Sequence, residues 1–379
     1  MTARHTDDEV IAALREHGDS VRATAKALGL NRSSLQGRIK SLAKKGYSPA
    51  HQMTHTVPDG FAVKGVSTLY REDGTVAAQW VKSTADAERL KQLLDAAFAG
   101  MADDLPRVAP RAAPKRCNTD LLTCYVLTDF HLGMLAWGEE TRDEPWDLDI
   151  AEKMLVQWFA AAIKQSPDSE TAVLAQLGDF VHFDGLDAVT PEHRNLLDAD
   201  TRFQKVVRAA IRVLRRVIDM LLVKHKTVRV LMAEGNHDTA SSVWLREWFR
   251  AIYESNPRVI VDTSPDPYYC IEHGKTSLFF HHGHKRNTGN VADVFAAKFR
   301  DVFGRTTHSY AHMGHRHHVE VKETNLMIVE QHRTLASKDA YASRGGWMSG
   351  RDAKAITYSA VYGEVARVTI SPDMARAAA

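Results

Sequence analysis

Residues 121–131 read LLTCYVLTDFH, an apolar run that closes on Asp129 and His131. Three later runs repeat the device. TAVLAQLGD (171–179) ends in Gly178-Asp179, TVRVLMAEGNHD (227–238) ends in Gly235-Asn236-His237-Asp238, and SLFFHHG (277–283) ends in His282 before Gly283. A shorter run, SYAHM (309–313), leads into Gly314-His315-Arg316-His317. Amphipathic stretches at 149–162 and 199–222 lie between the runs and read as helices. Alternation of strand-like and helical segments predicts an α/β core with helices packed on a sheet. In such folds the carboxyl ends of the strands form the rim where ligands sit. Five strand ends can therefore pool their side chains in one place.

The pooled side chains suit divalent cations. Two ions about 3.5–4 Å apart need a shared anionic ligand and several neutral ones, and Asp179 can give one oxygen to each ion. Mixed imidazole and carboxylate donors favour Mn, Fe or Zn over Mg or Ca, with Mn the first expectation. Glycines beside Asp179, Asn236, His282 and His315 allow tight turns directly after a strand. Taken singly, Asp-x-His is a surface dipeptide, Gly-Asp a turn and GHRHH a solvated loop. Five such motifs in order, each after a strand-like run, carry the functional reading.

Asp129-x-His131, Gly178-Asp179, Gly235-Asn236-His237-Asp238, His282-Gly283 and Gly314-His315-x-His317 resemble the ordered motif set of the calcineurin-like metallophosphoesterases, over roughly residues 121–320. The resemblance implies two packed β-sheets flanked by helices. It implies one metal on Asp129, His131, Asp179 and His317, and a second on Asp179, Asn236, His282 and His315. It places His237 outside the cage, facing substrate as the catalytic imidazole. Some members of that family are nucleases of DNA repair. The expected chemistry is attack on phosphorus by a hydroxide held between the cations, with His237 stabilising charge or protonating the leaving oxygen. Of the adjacent His281 and His282, strand alternation points one inward, and His282 is chosen because it precedes the glycine. His182 is read as a supporting residue or plain packing. His312 and His318 are read as structural or supporting. Asp238 either orients His237 or caps a helix starting at Thr239, the cap being preferred.

The amino-terminal part has a different character. Residues 6–46 read as three short helices, opened by a capping box at Thr6 and Glu9 and punctuated by Gly18 and Gly29. Residues 21–45 resemble the helix-turn-helix of resolvases and invertases. Ala25 would pack between helices, and Leu35 and Ile39 would anchor the second. Between Asn31 and Lys45 stand five basic residues and no acidic one. Asn31, Arg32, Ser33, Ser34, Gln36, Arg38 and Lys40 are the candidate DNA contacts. A protein-docking three-helix unit is the alternative. Residues 56–100 predict a hairpin (61–70 and 76–82, turning at 72–74) and a helix with Ala87, Leu90, Leu94 and Phe98 inward. Residues 101–118 read as a linker, and 119–372 as the phosphoesterase domain. A basic stripe (Lys205, Arg208, Arg212, Arg215, Arg216) lies roughly opposite Val207, Leu214 and Leu221. It is read as a solvated face, with contact to a DNA backbone as the alternative.

Composition sets bounds. The chain has 379 residues, 44% hydrophobic and 25% charged, and a formal net charge of +2. Near-neutral charge means that any basic patch is local. Three scattered cysteines give no disulfide framework. No apolar run approaches membrane-spanning length, so a cytoplasmic protein with no membrane partner is expected. The leading expectation is a DNA-binding, two-metal phosphodiesterase, a DNA nuclease, with a homodimer suggested by the helix-turn-helix. The arrangement is also similar to proteins encoded by bacteriophages. Alternatives are a phosphatase or nucleotide phosphodiesterase whose helical head docks a partner, and a non-catalytic DNA-binding factor on the same scaffold.

Overall fold

The computed structural model describes residues 5–44, 57, 61–71, 76–86, 88, 89, 91, 92 and 112–378. The chain divides into two compact units, Met1–Ala97 and Phe98–Ala379.

In the first unit, α1 (Asp7–Glu16) opens with a reciprocal capping box between Thr6 and Glu9. α2 (Val21–Ala27) is capped by the Ser20 hydroxyl. α3 (Arg32–Lys44) is opened by Asn31, whose Oδ1 accepts the Ser34 N–H at 2.7 Å and the Ser33 hydroxyl at 2.9 Å. Gly18 and Gly29 take φ of +55° and +60°, which ends the preceding helices at little cost. Val10, Ile11, Leu14, Ala25, Leu35 and Leu42 form the shared core, with Ile39 packed against it. Two long strands, β1 (Phe61–Tyr70) and β2 (Val76–Ala85), pair antiparallel. The second strand runs three residues beyond the expected Lys82, because its cross-strand partners extend to Phe61. Residues 72–74 of the turn, and Ala87, Leu90, Leu94 and Phe98 of the expected helix, lie outside the described residues, as does most of the 101–118 linker.

The second unit stacks helices, sheet, sheet and helices. Its elements in chain order begin with β3 (Asn118–Leu127), α4 (Leu148–Gln165), β4 (Ser169–Gln176), α5 (Phe203–Lys224) and β5 (Thr227–Met232). They continue with α6 (Thr239–Tyr253), β6 (Val259–Val261), β7 (Tyr269–His273), β8 (Thr276–Phe280) and β9 (His308–Met313). The last strands are β10 (Glu320–Glu323), β11 (Ile328–Gln331), β12 (Ala353–Ser359) and β13 (Gly363–Ile370). One sheet runs β13-β12-β3-β4-β5-β6, the other β10-β11-β9-β8-β7, and both mix parallel and antiparallel pairs. Period-two alternation sorts the strand residues between layers. On β3, Leu122, Cys124 and Val126 face the other sheet, while Tyr125 and Leu127 join the core under α4 and α5. Among the described residues, no helix is long and apolar enough to cross a membrane.

The helix expected from Ala199 begins at Phe203. Ala199 pairs with Met134 in an isolated antiparallel bridge, and the Asp200 N–H donates to the Gly133 carbonyl at 3.0 Å. That long-range pairing holds residues 199–202 extended against the loop after His131. On α5 itself Leu214 and Leu221 are fully buried as expected, while in the first turn Val206 rather than Val207 is the fully buried valine.

Buried imidazoles make this unit acid-sensitive. The His225 Nε2 lies 2.9 Å from the Tyr125 hydroxyl and its Nδ1 2.8 Å from the Ser169 carbonyl. Burial pushes its pKa down to about 4, and does the same to His312, which is wedged between Tyr358 and His332. Unfolded, both titrate near 6.5. The stability they contribute is therefore complete above pH 6.5 and is lost as pH falls towards 4, on the order of 3 kcal/mol for each. The urea midpoint is expected to drop between pH 7 and pH 4.5, and His225→Gln to flatten that slope. A midpoint independent of pH would show that these rings are not held neutral.

Candidate metal centre

The strand ends meet as the alternation requires. β8 sends Leu278 and Phe280 between the sheets, and the same parity carries His282 inward. His281 goes the other way, stacking on Tyr268 at 4.5 Å, and its Nδ1 accepts the Gly283 N–H. Two groups of donors result. Asp129, His131 and His317 form one, Asp179, His282 and His315 the other, with the ligand atoms inside each group all within 4.8 Å of one another. Asn236 joins the second group, its Oδ1 3.1 Å from His282 Nε2. The two groups adjoin, since His282 Nε2 lies 3.1 Å from Asp179 Oδ2 and 3.9 Å from Asp129 Oδ1. All seven expected ligands are thus brought together.

Backbone conformation is spent to achieve this. Asp129, His131, Asp179, His315 and His317 all have φ between 48° and 75°. Left-handed backbone is uncommon for non-glycine residues and costs of order 1–3 kcal/mol each where the surroundings impose it. Here the expected ligands account for five of the eight such residues described.

The donor set fits divalent cations. Asp129 Oδ1 is buried with no hydrogen-bond partner, while Oδ2 is held by the Thr128 hydroxyl (2.5 Å) and the His315 N–H (2.8 Å). His282 Nδ1 donates to the Leu177 carbonyl at 3.0 Å, which aims Nε2 at the cage. His131 turns Nε2 towards His317 Nε2 at 3.4 Å, and its Nδ1 meets His182 Nδ1 at 3.2 Å. Burial opposes ionisation of both aspartates, but the His317 and His282 imidazoles hold Asp129 below the usual carboxylate range. His282 and His237 hold Asp179 well below it. Burial, with His237 and His182 nearby, drives His131 well below 6.5. Burial works against a charge on His282 too, yet Asp179 and Asp129 raise it to about 9. Ionised carboxylates beside imidazoles are what a cation requires, and a bound cation would displace the proton that those carboxylates hold on His282.

His237 stands at the mouth, half-buried. Its backbone N–H donates to Asp179 Oδ1 at 2.8 Å, its Nδ1 lies 2.9 Å from the His182 carbonyl, and its ring is 4.8 Å from that of His131. Both expected roles of Asp238 give way to a third. It makes no cap to α6 and no bond to the His237 ring. Instead its carboxylate accepts the N–H groups of Asp179 (3.1 Å), Phe180 (2.6 Å) and Gly235 (2.9 Å). It staples the second metal loop to the third, and the cap falls to Asp184, which accepts from Ala240 N and from Ser241 N and Oγ.

Several site residues had no signal in the sequence. Thr128 and Thr334 clamp Asp129, the latter through a 2.6 Å bond to its carbonyl. His284 places its ring 5.3 Å from that of His282, with a buried and unpartnered Nδ1. Only its place in HHGH could have flagged it. His312 lies in a separate buried network with Glu330, His332 and Tyr358. There Lys354 and Arg367 already neutralise Glu330, at 2.8 and 2.7 Å. His318 bonds the Arg316 carbonyl.

No family profile matches the sequence, and no curated protein matches it. Among solved structures the chain is similar to a conserved uncharacterised protein, a predicted phosphoesterase, from Streptococcus pneumoniae, with 9% identity, 67% of this chain, 99% of that one and a TM-score of 0.29. It is similar to an archaeal phosphodiesterase, with 14% identity, 65% and 99% coverage and a TM-score of 0.31. It is also similar to Vps29 from Entamoeba histolytica complexed with zinc, with 11% identity, 66% and 99% coverage and a TM-score of 0.25. Likeness at that level carries none of the functional assignment, which rests on the cage. Fold and site together define an α/β sandwich built around a buried histidine–aspartate centre suited to divalent cations.

Proposed function

We propose that the protein is a two-metal phosphodiesterase acting on DNA. The observation that carries this is the pair of adjoining donor groups, Asp129/His131/His317 and Asp179/Asn236/His282/His315, set at the ends of parallel strands. When bound, divalent cations would supply Lewis acidity, neutralising phosphate oxygens and lowering the pKa of water. Asp179 would be the ligand common to both ions, and Mn is the first metal to try.

The chain's own residues do the rest. Asp238 and Thr128 fix the carboxylate-bearing loops, and His182 and the Leu177 carbonyl orient the rings of His131 and His282. His237 donates Nδ1–H to the His182 carbonyl and presents Nε2 to the mouth, where the imidazolium form can give its Nε2 proton to the oxygen of the leaving group. The amino-terminal unit supports the choice of DNA. Arg32, Gln36 and Lys40 are exposed on α3. Asn31 Oδ1 is taken up by the Ser33 hydroxyl and the Ser34 N–H, and Arg38 pairs with Asp7 at 3.0 Å, so Arg32, Gln36 and Lys40, with the Ser34 hydroxyl, carry the readout in this proposal. A homodimer would set two such helices on paired half-sites.

The test is hydrolysis of bis-(p-nitrophenyl) phosphate and of labelled DNA with added Mn. His237→Ala is expected to lower both rates by about 10²–10⁴-fold, the range for loss of a general acid, with metal content retained. Hydrolysis of the small diester with DNA untouched would redirect the substrate to nucleotides or phosphoproteins.

A further inference from the structure

The flank of the second unit carries a row of cations that the metal centre does not use. Lys205, Arg208, Arg212, Arg215 and Arg216 are all exposed on α5. At 100° per residue they fall within about 100° of arc. The opposite face, with Val206, Ala210, Leu214, Val217 and Leu221, is buried in the core. Asp219 is the single acid on this 22-residue helix. Among the described residues Arg212 pairs with Glu152 and Lys224 with Asp168. Lys205, Arg208, Arg215 and Arg216 make no ion pair with a described residue. A face kept charged only for solvation ordinarily mixes the two signs in comparable numbers; on this one Asp219 is the single acid of the helix among five cations. Arg208, Arg212, Arg215 and Arg216 also line a shallow cleft of about 440 Å³ together with Asp219 and with Trp248 of α6.

The row starts beside the cage. The first turn of α5 packs on the loop after His131, where a Cβ on Gly133 would lie 2.6 Å from Val206 Cγ2. The Phe203 ring is 5.7 Å from that of Phe183, the neighbour of His182. From Lys205 to Arg216 the helix rises about 16 Å. One strand of B-DNA carries a phosphate every 3.4 Å or so of axis, which gives roughly four or five phosphates over that length. Four of the five cations are arginines, whose planar fork matches phosphate oxygens in pairs. No exposed aromatic interleaves the cations on α5, as stacking of single-stranded bases would ask.

We propose that α5 is a track for the phosphate backbone of duplex DNA, gripping the strand that leads away from the cleaved bond through Lys205, Arg208, Arg215 and Arg216. The proposal rests on the reading of DNA as substrate and names the surface and the form of DNA.

The full chain and the triple variant Arg208→Glu/Arg215→Glu/Arg216→Glu are compared by fluorescence anisotropy on a labelled duplex between 50 and 200 mM salt. Hydrolysis of the small diester and thermal melts run in parallel. Loss of three phosphate contacts is expected to lower the slope of log affinity against log salt by about 2.7, at roughly 0.9 per contact. The Kd at the low-salt end should rise at least about thirty-fold. The triple glutamine variant, which removes charge without reversing it, should lose the same slope with a smaller rise in Kd. Unchanged slopes in both folded variants overturn the track, as does a loss seen on single strands but not on the duplex. A native chain that binds duplex with the expected slope but fails to hydrolyse the diester would sink the phosphodiesterase reading and leave the track standing.

Discussion

Asp179→Asn is expected to reduce Mn-dependent hydrolysis of the small diester by on the order of 10³-fold and to cut bound metal from two ions per chain to one or fewer. The change is nearly isosteric. Asparagine keeps an oxygen to accept the His237 N–H, and it tolerates the left-handed φ of 53° better than most residues. What is lost is charge. Asp129 and Asp179 are the two carboxylates of the cage, so its formal charge falls from −2 to −1 while it must still hold two dications. The loss falls at the residue proposed to serve both ions, which touches His282 Nε2 at 3.1 Å. The factor follows the cost of removing one preorganised electrostatic group from a dry site. Without metal, the variant should melt below the parent, because the ionised Asp179 is favoured in the fold by His282 at 3.1 Å and that charge is lost. Metal analysis and the diester assay on one preparation decide the matter. Full metal content with a parental rate would remove Asp179 from the centre.

Much of the second unit was legible because strand parity and glycine placement are local signals. The run 121–127 alternates between two cores, and each later run ends where its motif begins. The inward turn of His282 against His281 follows from counting by twos along β8. In the first unit, Thr6/Glu9, Gly18, Asn31 and Gly29 mark helix ends through bonds that span three or four residues.

What could not be read depends on partners distant in the chain. Asp238 adjoins a helix start and looks like its cap, yet Asp184, more than fifty residues earlier, takes those N–H groups. That frees Asp238 to hold Asp179 and Phe180. Thr334 bonds the carbonyl of Asp129, 205 positions away, and nothing near it in sequence announces the contact. The start of α5 moved for the same reason, its first four residues being claimed by the loop around Gly133. The basic stripe stands between the two cases. Its residues were legible, but that four of the five make no ion pair with a described residue was not.

The glycines of the cage separate turn chemistry from close approach, and Gly314→Ala tests the difference. Gly178 and Gly283 have φ of +107° and +122°, conformations that L side chains rarely adopt, as a turn residue would be expected to show. Gly314 has no such φ. Instead a Cβ there would overlap the Thr128 Oγ1 and lie 2.5 Å from Asp129 Oδ2. Those two atoms are the bond that fixes Asp129 in the cage, and the His315 N–H closes on the same oxygen. Alanine must therefore displace either the Asp129 carboxylate or the loop that carries His315 and His317. We expect Gly314→Ala to lose about 10²-fold or more in diester hydrolysis, since misplacement by about 1 Å can cost that much. Overpacking at so tight a point should cost about 1–3 kcal/mol of stability. Gly304→Ala is the control: that glycine lies in the short helix Arg300–Arg305 with nothing within 4 Å of an added Cβ. It should stabilise by about 0.4–1 kcal/mol and leave the rate alone. If Gly314→Ala keeps the parental rate and melting temperature, the Asp129 clamp is not what sets the cage, and the loop after β9 has room to move that the contacts deny.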